Sequence, residues 1–269
     1  MRISRLIVNA DDFGYSEAVN RAILNSFESS LLTSTSIMAN MPGFDHAVGL
    51  IRQHNLLEQK VGVHLNLTEG FPLSRTITAC PTFCGDDGRF IYHRDRPLFR
   101  LSRKERAAVE DELRMQLERV LAAGIRPSHL DSHHHVHTEW AIAPLVCRLA
   151  RSYGIRRIRL TRNMGPVPSR AKRWYKKLFN YWFLGRHSGL VDNTDYFGDI
   201  ADMHYFLSRG DGRRGNSAGE GRRAGGWAQD HSFEIMVHPL FDSSGRLVDL
   251  DGRDLREGLQ PFVMGGIGG

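Results

Sequence analysis

The feature that most constrains the fold is an alternation of short apolar runs with longer segments of helical periodicity. The runs typical of strands cover 5–10, 35–39, 60–67, 129–133, 155–160 and 233–238. Between them, 17–27, 44–53, 103–122 and 139–153 carry apolar residues at three- and four-residue steps. This alternation predicts parallel strands joined by crossover helices, an α/β fold with no internal repeat.

The segment 103–122 gives the clearest helix prediction. Val109, Leu113, Leu117 and Val120 share one face that would pack against a sheet. Ser102 followed by Glu105 predicts a capping box at the start of the helix, and Gly124 predicts its stop.

Composition favours a folded protein, with 41% hydrophobic and 25% charged residues in 269. No signal peptide or membrane span is recognisable, so we expect a cytoplasmic protein without a transmembrane segment. Its three cysteines fit no zinc knuckle and are expected to be reduced and structural. We expect one domain over 1–269, with a basic aromatic insertion at about 165–190. Seven glycines and five arginines predict a flexible loop at about 209–226.

Four polar clusters fall at the C-terminal ends of the predicted strands, where parallel α/β barrels build their active sites. They lie at 9–14, 64–68, 129–137 and 236–239. Buried carboxylates and imidazoles are costly unless they are paired or bind a cation. The clusters therefore indicate a metal site.

Two of the clusters leave alternatives open. Asp11 and Asp12 would point to opposite faces of a regular strand, but a turn at the strand end would bring both to one pocket. Alternatively, one of them caps a loop. Five of the thirteen histidines lie within 129–137. If this segment stays extended, one face carries His129, Asp131, His133, His135 and His137, and the other carries His134. One ion cannot bind all five, so some must support the ligands, contact substrate or fill the core.

Four motifs follow one another along the chain: Asn9-Ala-Asp11-Asp12-Phe-Gly, Val-His64-Leu, His129-Leu-Asp-Ser-His133-His-His-Val-His137 and Met-Val-His238-Pro. In this order they resemble the motifs of the YdjC-like carbohydrate deacetylases, which include chitooligosaccharide deacetylases. The resemblance covers 1 to about 160 and resumes at about 233–258. It implies a modified (β/α) TIM-like barrel whose active site lies at the C-terminal strand ends. It also implies hydrolysis of an N-acetyl group from an amino sugar or oligosaccharide.

The resemblance implies a role for each site residue. Asp12, His64 and His133 would hold one divalent metal ion, Asp11 would be the catalytic base, and His238 the proton donor. Arg159 is a further candidate, for substrate binding or for holding the base ionised. The alternative for Arg159 is a surface or ion-pair arginine. Two imidazoles and a carboxylate suit Zn²⁺ or a similar ion, whereas the family is often associated with Mg²⁺, so both metals stay open.

Two other functions remain open at this point. A water-activating ion in a basic pocket also suits a metal-dependent phosphoesterase. The segment 172–183 interleaves basic and aromatic residues, as membrane-surface helices and nucleic-acid binding proteins do. Its aromatic residues would otherwise pack on the barrel or line a sugar subsite. We expect a small amino-sugar or oligosaccharide substrate and no nucleic acid, and we leave a homodimer open.

Overall fold

A computed structural model describes residues 2–95, 97–167, 169–187, 192–208 and 230–263. The predicted glycine- and arginine-rich loop at 209–226 lies outside the described residues. Among the described residues, no helix combines the length and the apolar character needed to cross a membrane.

Six parallel strands form one curled sheet, which confirms the predicted α/β barrel-like class. Their order across the sheet is β4-β3-β2-β1-β6-β5. The strands are β1 (Arg2–Phe13), β2 (Ser34–Ile37), β3 (Val61–Leu65), β4 (Leu130–Ser132), β5 (Tyr196–Asp199) and β6 (Asp230–Val237). A small antiparallel hairpin follows, formed by β7 (Leu240–Phe241) and β8 (Leu247–Val248).

Helices flank the sheet and cover its apolar surface. They are α1 (Glu17–Glu28), α2 (Phe44–Gln53), α3 (Arg103–Ala122), α4 (Ala143–Ser152), α5 (Arg170–His187), α6 (Ile200–Ser208) and α7 (Leu255–Val263). The predicted capping box is present, because Ser102 Oγ accepts from the Glu105 amide while the Glu105 carboxylate accepts from the Ser102 amide. Gly124 has a φ of 84°, the left-handed stop expected after α3.

The predicted strand at 155–160 is wrong as a regular strand. Only an isolated bridge pairs Ile158 with Leu130 on β4. The chain then crosses to the other edge of the sheet, where the Asn163 amide donates to the Phe197 carbonyl on β5 over 2.9 Å. This irregular segment links the two edge strands. It also directs Arg159, which lies between the two contacts, to the concave side of the sheet.

Candidate metal centre

A bulge at the end of β1 brings Asp11 and Asp12 to the same side of the sheet. The register between β1 and β2 shifts between Ala10 and Phe13. Within that interval Asp12 has a φ of 66°. A left-handed conformation at a residue other than glycine costs about 1–3 kcal/mol and is concentrated at functional sites. The turn predicted for the adjacent aspartates is therefore present.

His64 lies at the centre of the site, between two carboxylates. It is the register partner of Asp131 on β4, so both side chains project from the same face of the sheet. The Nδ1 atom of His64 lies 2.9 Å from Asp131 Oδ1. On the other side of the ring, Nε2 lies 3.2 Å from Asp12 Oδ1. One ring nitrogen of His64 thus faces the buried Asp131, and the other faces Asp12, which is partly exposed.

The histidine cluster is extended only as far as Ser132, so the condition under which its residues would share one face is not met. β4 ends at Ser132, and 133–138 forms a 3₁₀ turn in which His134 and His135 have φ values of 50° and 55°. The turn places the His133 ring 6.0 Å from the His64 ring, centroid to centroid. Thr68 Oγ1 lies 2.7 Å from His133 Nδ1.

Burial and neighbouring charges set the protonation of these groups. Burial disfavours the His64 imidazolium, but the nearby carboxylates of Asp131, Asp11 and Asp12 outweigh it and raise the pKa of His64 to about 10. Burial lowers the pKa of His133 to about 3, so this imidazole is neutral. Although burial opposes it, the adjacent His64 holds the pKa of Asp12 well below its usual range.

The arrangement fits a divalent cation at the open face of His64. Donation from His64 Nδ1–H satisfies Asp131, and this assignment leaves Nε2 of the neutral ring as an acceptor. Facing it is Asp12 Oδ1, a buried oxygen with no hydrogen-bond partner among the described residues. Two acceptors 3.2 Å apart need a positive charge between them. A proton supplies that charge in the metal-free protein, and two imidazole nitrogens with a carboxylate oxygen suit a metal such as Zn²⁺.

Behind His64, Arg159 binds three buried carboxylates. Its guanidinium donates to the Asp11 oxygens over 2.6 and 2.7 Å. It also lies 2.9 Å from Asp131 Oδ2 and 2.7 Å from Glu234 Oε1. The side chain has no exposed surface. Arg159 is therefore an ion-paired residue of the barrel interior and not a surface arginine, and its donors are directed at protein carboxylates.

A second group of side chains has atoms close enough to hold a metal. Ligand atoms of Asp11, His64 and Asp131 lie within 4.8 Å of one another, all buried. Arg159 already binds both of these carboxylates. Because a metal there would meet the positive guanidinium, the open face of His64 is the more favourable position for a cation.

His238 follows β6 on the far side of Asp12. Its Nε2 lies 4.0 Å from Asp12 Oδ2, and the side chain is about one-quarter exposed. The carboxylate of Asp249, just after β8, accepts from the His238 amide over 2.7 Å. The structure thus brings His238 to the mouth of the site beside Asp12.

The remaining histidines of the cluster lie around the metal-site residues. His134 stacks on His133 with ring centroids 4.1 Å apart. His137 contacts Ser132 Oγ and the Arg159 carbonyl. The His135 ring packs edge-on against Phe197, and buried His129 lies 3.9 Å from Asp131. These histidines therefore have protein partners of their own, and which members of the cluster bind an ion stays a prediction.

Sequence reasoning gave no role to several residues that the structure places at the site. Asp131 sits inside the histidine cluster, and Glu234 is the one charge between Phe233 and Val237 on β6. Such an isolated charge in an apolar strand was the available signal. Glu69 is another site residue without a role predicted from the sequence. Tyr15 donates to its carboxylate over 2.7 Å, and its Oε2 lies 3.8 Å from His133 Nε2.

Comparison with known proteins gives a family model and named relatives that agree with one another. A family model described as YdjC-like protein matches residues 5–257. A carbohydrate deacetylase from Brevibacillus brevis is 44% identical over 151 residues, which are 56% of this chain and 57% of that protein. Another, from Halalkalibacterium halodurans, is 33% identical over 237 residues, or 88% of this chain and 85% of that protein. The Brevibacillus alignment thus spans little more than half of the relative's length.

A solved structure supports the fold. It comes from an Enterococcus faecalis protein named for cellobiose-phosphate cleavage, and it matches with a TM-score of 0.65 at 22% identity. The match covers 97% of this chain and 87% of the other. At this level of identity the likeness concerns the architecture alone.

Proposed function

The chain belongs to the YdjC-like family, and from that premise we propose that it is a metal-dependent carbohydrate deacetylase that removes N-acetyl groups from amino sugars or their short oligomers. Relatives named carbohydrate deacetylase, one of them similar along 88% of this chain, support a sugar deacetylase. The chemistry of the site supports the metal and the residue roles.

The observation that carries the metal proposal is the pair of acceptors at the open face of His64. His64 Nδ1 is engaged by Asp131, while Nε2 faces the unpartnered oxygen of Asp12. A carboxylate that orients a histidine through its other nitrogen is the usual support for a metal-binding imidazole. Asp12, His64 and His133 would hold the ion. When bound, a divalent metal supplies Lewis-acid polarisation of a carbonyl and a lower pKa for water.

The other residues of the site would move protons and hold the reacting groups in place. Asp11 would accept a proton from the attacking water. Arg159 grips both Asp11 oxygens, and Asn9 donates to one of them over 2.8 Å, so the carboxylate is held in one orientation. We therefore assign Arg159 to positioning the base rather than to contacting substrate. His238, partly exposed beside Asp12, would donate a proton to the departing amine.

The decisive experiment measures metal content and product together. Purified protein would be analysed for bound metal, then assayed for acetate release from N-acetylglucosamine and its short oligomers after loading with Zn²⁺ or Mg²⁺. We expect acetate release that a chelator abolishes and metal restores. Phosphate release from sugar phosphates without acetate release would support the phosphoesterase alternative instead.

The two candidate ligand groups can be separated by matched substitutions. Asp12→Asn and Asp131→Asn each remove one carboxylate charge on opposite sides of His64. If the ion binds at the open face, Asp12→Asn loses a direct ligand and most of the bound metal. Asp131→Asn retains the ligands but weakens affinity about 10–100-fold, as is typical for a residue supporting a ligand. The reverse order would place the ion among Asp11, His64 and Asp131.

A further inference from the structure

Helix α5 carries aromatic residues both on the face that packs against the barrel and on its exposed face. On the inner face, Tyr175, Phe179 and Trp182 surround Trp140, with ring centroids 6.1, 5.0 and 4.9 Å from it. Phe179 is 1% exposed. These contacts attach α5 to the barrel and account for half of the aromatic residues in the segment.

The outer face of α5 exposes three large side chains at helical spacing. Trp174, Leu178 and Tyr181 are 62%, 58% and 78% exposed. Steps of four and three residues place them on one side of the helix. A contiguous apolar stripe on a surface helix marks an interaction site more often than single exposed residues do.

The residues that flank this stripe are all basic or neutral. Arg170, Arg173 and Lys177 are exposed, and the Lys177 ammonium lies 5.4 Å from the centre of the Trp174 ring. Lys176 is directed inward and donates to the Arg162 carbonyl over 3.0 Å. The sequence 170–187 contains no Asp or Glu. The outer face therefore combines an apolar stripe with a positive border for which the described part of the chain supplies no ion pair.

We propose that the outer face of α5 docks this protein on an anionic lipid surface. The proposal is independent of the deacetylase activity. Trp and Tyr prefer the membrane interface, Leu178 adds apolar area, and the cations match negatively charged headgroups. The helix would lie in the plane of the surface with its inner face still attached to the barrel.

Charge and side-chain chemistry favour a lipid surface over the other occupants. Pairing of two copies through this face would bring two helices without acidic residues together, and like charges oppose such contact. Single-stranded nucleic acid binds through successive aromatic platforms. Leu178 lies between Trp174 and Tyr181 on the stripe and has no ring to stack on a base.

Vesicle binding tests the proposal. The full chain would be sedimented with phosphatidylcholine vesicles and with vesicles containing phosphatidylglycerol, at about 0.1 M salt. We expect binding only to the anionic vesicles. Replacing Arg170, Arg173 and Lys177 by Gln should weaken it about 100-fold. The matched control replaces Arg103, Lys104 and Arg126 by Gln, which removes the same charge elsewhere and should reduce binding less than threefold.

The apolar part of the surface needs its own variant. Trp174→Ser with Leu178→Ser and Tyr181→Ser should reduce binding at least tenfold while leaving the circular dichroism spectrum unchanged. In the unmodified chain, brominated phosphatidylglycerol should quench tryptophan fluorescence, and Trp174→Phe should remove most of that quenching. This second measurement retains the helix surface almost intact, so it does not depend on the triple variant folding.

Several outcomes would overturn the proposal. Equal binding to neutral vesicles would remove the role of the cations, and unchanged binding by both triple variants would place any lipid contact elsewhere. A dimer that the serine variant dissociates would identify a second copy as the occupant. Stronger retention on single-stranded oligonucleotides than on anionic vesicles would identify nucleic acid.

Discussion

The two sides of His64 differ in how completely their charges are matched. Behind the ring, the carboxylates of Asp11, Asp131 and Glu234 are nearly inaccessible and all are bound by Arg159. In front, Asp12 is 18% exposed, and one of its oxygens has no hydrogen-bond donor among the described residues. Protein contacts therefore balance the charges of the rear cluster, formed by Asp11, Asp131, Glu234 and Arg159. On the front side of His64, one oxygen of Asp12 is left without such a contact.

This difference indicates what each side is built for. A buried ionic cluster with good geometry fixes the positions of its members, although its net contribution to stability is modest. The front side keeps a strained aspartate and two imidazoles beside an opening. We infer that the rear cluster holds Asp11 and His64 rigidly, so that the front side can accept and release a cation without rearranging the barrel.

Removal of Arg159 should give the largest effect, because it breaks the rear cluster. Arg159→Met leaves three carboxylates buried without their common counter-ion, and breaking a buried ion pair costs about 3–5 kcal/mol. Urea unfolding should show this loss in the free energy of unfolding. The control, Arg148→Met, removes an exposed partner of Glu110 and should change little. An Arg159→Met protein as stable as the unmodified chain would contradict the role of Arg159 as the counter-ion of these three carboxylates.

Substitution of Asp11 should separate catalysis from metal binding. Asp11→Asn removes the proposed base but leaves Asp12, His64 and His133 unchanged. We expect turnover to fall at least 100-fold, within the range typical of a general base, with metal content retained. Acetate release and metal analysis on the same preparation measure both quantities. Near-normal turnover would exclude Asp11 as the base.

The pH dependence of metal binding should report the charge in front of His64. In the metal-free protein the pKa of His64 is raised from 6.5 to about 10 by the surrounding carboxylates, despite burial. Its protonation therefore stabilises the metal-free fold fully below pH 6.5, and this contribution is lost as pH rises through about 10. A metal must displace the proton, so its affinity should rise up to tenfold per pH unit between about 7 and 9.

Calorimetry in two buffers of different ionisation enthalpy measures that proton directly. Close to one proton should be released per metal bound at pH 8. Asp12→Asn, which removes a proposed ligand, provides the reference for metal bound elsewhere. Affinity that does not change with pH would mean that His64 is not a ligand.

Much of the fold and part of the site could be predicted from the sequence because both depend on local pattern. Ser102 and Glu105 fixed the start of α3, and helix periodicity predicted α2 at 44–53 and α3 at 103–122. The polar clusters marked strand ends because charged groups are rarely tolerated inside strands without partners. Accordingly, the C-terminal ends of the strands bring together Asp11, Asp12, His64, His133 and His238.

The parts that could not be predicted depend on contacts between distant segments. The strand expected at 155–160 is only a bridge, because the chain leaves β4 to reach β5. β5 at Tyr196–Asp199 and α6 beyond it carry too weak a pattern to be recognised. Glu234 acquires its role only through Arg159, 75 residues away. No local pattern reports such a pairing.

The smallest expected effect lies on the front side of His64, at Thr68. Its hydroxyl lies 2.7 Å from His133 Nδ1 and leaves Nε2 for the proposed metal. Thr68→Val keeps the shape but removes this hydrogen bond, so we expect metal affinity to fall about tenfold, the lower end of the range for such supporting partners, with little change in turnover at saturating metal. Thr68→Ser retains the hydroxyl and should bind metal normally. Competition with a chelator of known affinity measures both variants. If Thr68→Val and Thr68→Ser bind metal equally well, the orientation of His133 comes from the strained turn at His134 and His135 rather than from Thr68.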